Sequence, residues 1–297
     1  MAYKEYNEET LQRLQRLELK LLEEFDQMCR ENNIRYFGCG GTAIGAVRHK
    51  GFIPWDDDVD VGMLRRDYDR FLKVAAHWKA DKYCVVNAET DPRVPFPSTR
   101  WVLRGTRFQE ECFRDLDCEL GIFLDIYCFD NIPDDNRAMK RQAWAAWFYG
   151  KMMVLSGIDR PVLYYGGWKA KLTYVLCGIG HKLLKALHLG PSFWYRKAKR
   201  VAVKYRHVKT KRAAFYFDPT PFTSIVYKKH IFPTKDREFS GLKIPFPGKV
   251  QAYLKRRYGD YMTLPPVEKR HNHPPYRLDF GPYAQEPLEK QELEESK

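Results

Sequence analysis

The sequence predicts an α/β fold of the α+β kind, a mixed sheet with a helical basic insertion in its second half. Two patterns and one imbalance point there. Over the first 133 residues, helix-period segments alternate with short apolar runs of strand length. Two of those runs carry carboxylates among their hydrophobic residues. The 51 Lys and Arg outnumber the 38 Asp and Glu, for a net charge of +13, and the excess sits in one window.

From Glu8 to Asn32, Leu11, Leu14, Leu17, Leu21, Phe25 and Met28 recur at three- and four-residue spacing behind Asn7, a natural N-cap, and predict an amphipathic helix. IRYFG reads as a short strand, broken by the glycines of GCGGTAIG before a helical turn through Ala46 and Arg48. A Pro-Trp turn leads into VDVGM, a second strand. Arg65 to Trp78 follows as a helix with Tyr68, Phe71, Leu72 and Ala75 on one face. KYCVVNA, STRWVLR, RFQEECF and GIFLDIYCF are further strands. Residues 139–187 are helical, basic and aromatic-rich, with Gly166-Gly167 and Gly190-Pro191 as breaks. From Phe215 the chain returns to strands, FTSIVYKK and REFSGLKIPFP, then a short helix, VQAYLKRRYG, and a polar segment ending near Phe280. The expected division is a core over 1–133, the insertion over 134–214, a segment completing the core over 215–283, and a disordered acidic tail over 284–297.

Composition narrows the classes. At 297 residues, 44% apolar and 30% charged, the chain has about two domains' worth of material and should fold, which excludes disordered and fibrous proteins. Seven cysteines, with no CxxC pair and no histidine at finger spacing, fit neither a disulfide framework nor a structural zinc site, and point to a reducing compartment. The start, MAYKEYNEETLQRLQ, lacks the apolar core of a signal peptide, and no run reaches the roughly 18 apolar residues of a membrane span. A cytoplasmic protein, soluble or peripheral on the inner face of the plasma membrane, is expected.

The chemistry concentrates in GCGGTAIGAVRHKGFIPWDDDVDVGM, residues 38–63. Asp58 and Asp60 flank Val59 in a strand, so their side chains leave one face, roughly 6–7 Å apart, while Val59 and Val61 enter the core. Asp56 and Asp57 add like charges in the same turn, a cluster that repels itself without a cation. An acidic run is most often a solvated turn, but this one enters an apolar strand. Hard oxygen ligands with no nearby His or Cys favour Mg2+ or Mn2+ over zinc. Upstream, Gly40-Gly41-Thr42 lies between strand and helix, where backbone N–H groups grip phosphate, although a plain turn would also explain it. A glycine turn after the first strand and a hydrophobic-Asp-hydrophobic-Asp strand soon after form the layout of the nucleotidyltransferase fold. That layout needs a third carboxylate, and Asp125, alone inside FLDIY, is costly to bury unless paired or on a metal. Asp130 reads as a turn residue, with a supporting role behind the metal ligands left open.

On these residues, and above all on GAVRHKGFIPWDDDVDVGM, the sequence resembles the LicD family of bacterial phosphocholine transferases, relatives of the fukutin-related ribitol-phosphate transferases. YLKRRYGDYMTLPPVEKRHNH, residues 253–273, resembles the family's C-terminal element. The resemblance implies a nucleotidyltransferase-like fold and transfer of a phosphoalcohol, typically phosphocholine from CDP-choline with release of CMP, to a hydroxyl of a cell-surface glycan such as lipopolysaccharide, capsule or teichoic acid. It implies a bacterial source, since the cysteine-based zinc loop of the fukutin-related branch has no counterpart here.

Under that reading Asp58, Asp60 and Asp125 hold the metal. Gly40, Gly41, Thr42 and Arg48 take phosphate, with His49 and Lys50 as weaker partners. Trp55 stacks on cytosine or merely packs, and Lys269, Arg270 and His273 contact phosphate or acceptor. Arg100 and Arg104 are further candidates for the cleft, and Asp260 is either a turn cap or a substrate residue. Residues 137–212 hold 18 Lys and Arg against one acid, Asp159, leaving the remainder at −4. With Trp144, Trp147, Trp168 and the leucines of 183–187, that window suits an anionic membrane surface or simply a packed helical subdomain; no nucleic acid is expected. Two other functions share these features. A true nucleotidyltransferase would consume NTP and release pyrophosphate, and a nucleic-acid-binding module would use the basic window.

Overall fold

The computed structural model describes residues 6–163, 166–267, 270 and 272–285. The first long helix forms as its periodicity dictates. α1 (Glu8–Glu31) is capped by Asn7, whose side chain accepts from the Glu9 N–H at 3.0 Å, and it buries Leu14, Leu17, Leu21, Phe25 and Met28. Phe25 meets Phe71 and Trp101 with ring centroids 5.7 and 5.8 Å apart, which fixes α1 across the central sheet.

The sheet is built from β1 (Phe37–Gly38), β2 (Asp60–Leu64), β3 (Tyr83–Val86), β4 (Thr99–Leu103) and β6 (Phe123–Ile132), in the order β1-β2-β6-β4-β3. β2 and β6 run parallel; the other pairings in this order are antiparallel. This is the mixed α/β architecture the sequence predicts. β6 is ten residues long and mostly buried, and its far half pairs with β7 (Arg212–Ala214), itself paired with β8 (Ile225–Tyr227). RFQEECF forms a strand only over β5 (Arg107–Gln109), because Glu111–Phe113 turns as a 3-10 helix. β5 pairs with β11 (Arg277–Asp279), which returns the C-terminal segment to the core.

α2 (Gly40–Arg48) and α3 (Arg65–Ala75) flank the sheet, and β9 (Lys235–Phe239), β10 (Leu242–Phe246) and α7 (Val250–Tyr258) close one end. Phe246 lies where a Cβ on Gly38 would sit, so β1 and β10 meet at van der Waals distance only because residue 38 is glycine.

The basic window folds as three helices, α4 (Asn136–Gly157), α5 (Gly167–Ala186) and α6 (Pro191–Ala202). α4 and α6 pack closely through Ala143, Ala146, Ala198 and Ala202, and Gln142 Nε2 donates to the Val201 and Ala202 carbonyls at 3.0 and 3.1 Å. α5 touches this pair more lightly: His181 Nδ1 lies 2.9 Å from the Leu155 carbonyl, and Gly180 lies against Leu155.

Asp130 is corrected from a turn residue to a core ion-pair member. It lies within β6, 1% exposed, and receives Arg65 Nε and Nη2 at 2.8 and 2.7 Å. The strand runs on past the apolar stretch because Arg65, the first residue of α3, neutralises the acid with a bidentate fork.

Candidate active site

The sheet register assembles the acids. Asp60 and Asp125 are directly paired Cα partners on the parallel strands β2 and β6, and Arg100 is paired with Asp125 on β4. Residues in register on adjacent strands project from the same face. Three side chains distant in sequence therefore leave one patch of sheet, at the end where β2 begins. Asp58 precedes β2 instead of lying within it, yet pairing continues to its neighbour, because the Asp125 N–H donates to the Val59 carbonyl at 2.9 Å.

Each carboxylate is fixed. The Asp60 N–H donates to Thr42 Oγ1 at 2.8 Å, and the Gly41 N–H donates to Asp60 Oδ2 at 3.3 Å. The glycine-threonine turn at the start of α2 is thus aimed at Asp60. A Cβ on Gly40, whose φ is +53°, would land on that same carboxylate. Gly40→Ala is expected to cost more than about 1 kcal/mol through the left-handed backbone alone and to displace Asp60; urea unfolding and activity should fall together. Asp125 accepts from Ser98 Oγ at 3.0 Å and from the Tyr127 hydroxyl at 3.5 Å, with Arg100 Nε 3.8 Å away. Arg100 is itself held by Glu110 at 2.6 and 3.1 Å and stacked on Phe123 at 3.8 Å. Arg104 does not reach the site: it pairs with Glu119 and the Ala80 carbonyl.

Burial pushes Asp60 well above its usual pKa, and the charges of Asp58 and Asp125 push it further, against Arg257 and the Gly41 N–H. Asp58 is raised by burial and Asp56, and Asp125 by burial in opposition to Arg100 and Ser98. Asp60 thus carries the repulsion of two neighbouring carboxylates, which a cation would relieve. Asp60 Oδ1 is buried without a hydrogen-bond partner among the described residues. An oxygen-only donor set with an orphaned buried oxygen fits Mg2+ or Mn2+.

Behind these acids the DDD loop is clamped. Asp57, fully buried, accepts from the Tyr6 hydroxyl at 2.6 Å and from the His273 N–H at 2.8 and 3.0 Å. His273 Nδ1 lies 3.4 Å from Asp57 and 3.5 Å from Asp58. Asp57, Asp58 and His273 bring one ligand atom each within 4.8 Å of one another, but both Asp57 oxygens are already occupied by donors. Desolvation of the inner edge of the His273 ring opposes its charge, yet the bond to Asp57 and the field of Asp58 prevail and raise its pKa to about 10. The structure thus sets this residue, expected to meet phosphate or acceptor, against the acids. Tyr6, ahead of α1, and His273, in the C-terminal segment, both bond to the same loop aspartate.

Arg48 and Arg270 meet at Trp55, their guanidiniums 6.0 and 4.2 Å from its ring. Arg48 bonds to His49 Nε2 and the Tyr261 carbonyl, and Arg270 to the Pro265 carbonyl. Trp55 therefore carries cations on its ring. Lys50 adopts φ +57° on an exposed turn, and its carbonyl accepts from the Ser240 N–H. Asp260 is the turn cap, accepting from Met262, Thr263 and its hydroxyl. Lys269 and His271 lie outside the described residues. Glu18 was not singled out by sequence reasoning: it is 1% exposed, and burial followed by Asp58, Asp57, Asp56 and Asp60 raises its pKa. Its signal is an acid four residues after Leu14 on the buried stripe of α1.

Fold and site together define a nucleotidyltransferase-like domain, with aspartates in register across parallel strands beside a glycine-initiated helix. Residues 33–100 match the family model described as LicD/FKTN/FKRP, nucleotidyltransferase domain, so the LicD resemblance read from residues 38–63 is borne out. The lipopolysaccharide cholinephosphotransferase LicD of Haemophilus influenzae is 28% identical over 289 residues, covering 89% of this chain and 96% of that protein. An uncharacterized protein of Rickettsia prowazekii is 44% identical over 66 residues, 22% of this chain and 25% of its own, and one of Rickettsia typhi is 38% identical over 60, covering 20% and 19%.

Proposed function

We propose that this protein transfers phosphocholine from CDP-choline to a hydroxyl of a lipopolysaccharide-type glycan and releases CMP. The observation that carries the reading is the registered Asp60–Asp125 pair with its orphaned oxygen, beside Asp58, in a chain similar along most of its length to a cholinephosphotransferase. Asp58, Asp60 and Asp125 would hold Mg2+ or Mn2+. When bound, the cation neutralises charge on the diphosphate and on the departing CMP.

The chain's own groups do the rest. Arg48 and Arg270, both held over the Trp55 ring, would supply forked donors to the donor phosphates. The acceptor oxygen forms a bond to the distal phosphorus while the bond from that phosphorus to the bridging oxygen breaks, and CMP leaves with that oxygen. One of the site aspartates takes the acceptor's proton. Arg100 anchors Asp125 in register, and the Tyr6–Asp57–His273 clamp keeps Asp58 in place.

The test is incubation with CDP-choline and an acceptor glycan. CMP and a phosphocholine-bearing glycan are expected; pyrophosphate from an NTP in place of CMP would make the protein a true nucleotidyltransferase instead. Arg270→Ala should raise KM for the donor by roughly tenfold or more, from loss of a charged hydrogen bond, with a smaller change in kcat. Initial rates against donor concentration measure both.

A further inference from the structure

We propose that the outer face of α5 is a docking surface for an anionic lipid bilayer, on which the helix lies flat. α5 is 20 residues long, and only Ala170 and Leu184 on it are buried. Its packed side is set by Ala170, His181 and Leu184, with His181 on the Leu155 carbonyl. At 3.6 residues per turn, Trp168, Leu172, Val175, Ile179 and Leu183 fall together on the opposite side. They are 71%, 50%, 58%, 61% and 58% exposed. Singly exposed leucines are ordinary, but a continuous stripe of large apolar residues over about four turns marks a binding face.

Charge identifies what covers it. α5 carries Lys169, Lys171, Lys182 and Lys185 and no acid. By the same helical count Lys171, Lys182 and Lys185 share one flank of the stripe. A second copy of this chain would bring lysines against lysines and the +17 window against itself, so charge disfavours self-association. A surface of anionic headgroups over hydrocarbon complements both features at once: lysines meet phosphate while Trp168 and the aliphatic stripe enter the acyl boundary. No helix among the described residues is long and apolar enough to cross a membrane, so the helix would lie on the bilayer. This inference is independent of the transfer reaction, and its test needs no donor.

The experiment is co-sedimentation of the full chain with phosphatidylcholine vesicles with or without about 30% phosphatidylglycerol, at two salt concentrations. Binding to the anionic vesicles, weakened by salt, is expected, with little binding to the neutral ones. Replacing Lys171, Lys182 and Lys185 by Gln should weaken binding by on the order of a hundredfold, at about fivefold per lysine. Trp168→Ser with Ile179→Ser should weaken it about tenfold. Both variants should keep the wild-type circular dichroism and unfolding midpoint, since these side chains stand in solvent. Quenching of tryptophan fluorescence by brominated lipid, lost in the serine variant, would place α5 at the acyl boundary. The proposal is overturned by equal binding to both vesicle types, by no binding, or by variants that bind like wild type. Lipid-free dimerisation abolished by the serine pair would overturn it in favour of a second copy.

Discussion

Asp60→Asn should leave a protein that is more stable than wild type in the absence of divalent cations and almost inactive in their presence. Asp60 is buried, its Oδ1 has no hydrogen-bond partner among the described residues, and Asp58 and Asp125 disfavour its charge. Removing that charge relieves repulsion worth about 1–3 kcal/mol at neutral pH, and the amide can still accept from the Gly41 N–H. The same change deletes a ligand from the carboxylate group, and activity should fall by about a thousandfold, the scale seen when one electrostatic element is lost. The pH dependence follows from the same crowding. Asp56 is pushed up to about 8 by burial and by Asp60 and Asp57, and Glu18 is raised well above its usual value. In each case the folded state holds a proton that the unfolded chain has released. Cation-free stability should therefore fall as pH rises from the ordinary carboxylate range toward about 8. Thermal unfolding at several pH values, with chelator and then with Mg2+, checks this. A wild type more stable at high pH in chelator would contradict it.

Asp130→Ala should destabilise the protein by about 3–5 kcal/mol, the usual cost of leaving one member of a buried ion pair uncompensated. Asp130 is 1% exposed, and Arg65 meets it with two nitrogens while stacking on Tyr68 at 5.0 Å. The effect belongs to folding and not to chemistry: the fraction that remains folded should keep near-normal specific activity. Replacing both partners, as Arg65→Met with Asp130→Leu, should recover most of the loss, because apolar residues of similar size tolerate the site. Urea midpoints measure the stability. A large drop in specific activity without a shift in midpoint would make Asp130 a site residue.

These two acids show what the sequence could and could not disclose. The helices and strands were legible because apolar spacing is local: α1, α3 and the long β6 appear close to where the pattern places them. Asp58, Asp60 and Asp125 stood out because a carboxylate inside an apolar strand needs a partner, and the sheet register brings Asp60 and Asp125 side by side. Asp130 misled for a related reason. It ends an apolar stretch as a turn residue would, while its partner Arg65 lies 65 residues upstream, where no local pattern points to it. His273 was read as an anion contact from its basic neighbours, but it reaches back across 216 residues to Asp57. Glu18 was hidden by its own helix, where a single acid on a leucine stripe looks like an imperfection until the loop of aspartates is packed over it. The basic window divides in the same way. Its helices were evident from composition, whereas the tight α4–α6 contact and the uncovered face of α5 depend on how the three helices are arranged.

Asp58, Asp60 and Asp125 are proposed to form one carboxylate centre serving transfer from a CDP-activated alcohol. Its most direct test is CMP release from CDP-choline in the presence of acceptor glycan, measured for wild type and for Asp58→Asn, Asp60→Asn and Asp125→Asn, each normalised to folded protein. Wild type should turn over with Mg2+ and be suppressed by chelator, and every variant should lose about a thousandfold. Full turnover by any one of the three would contradict it.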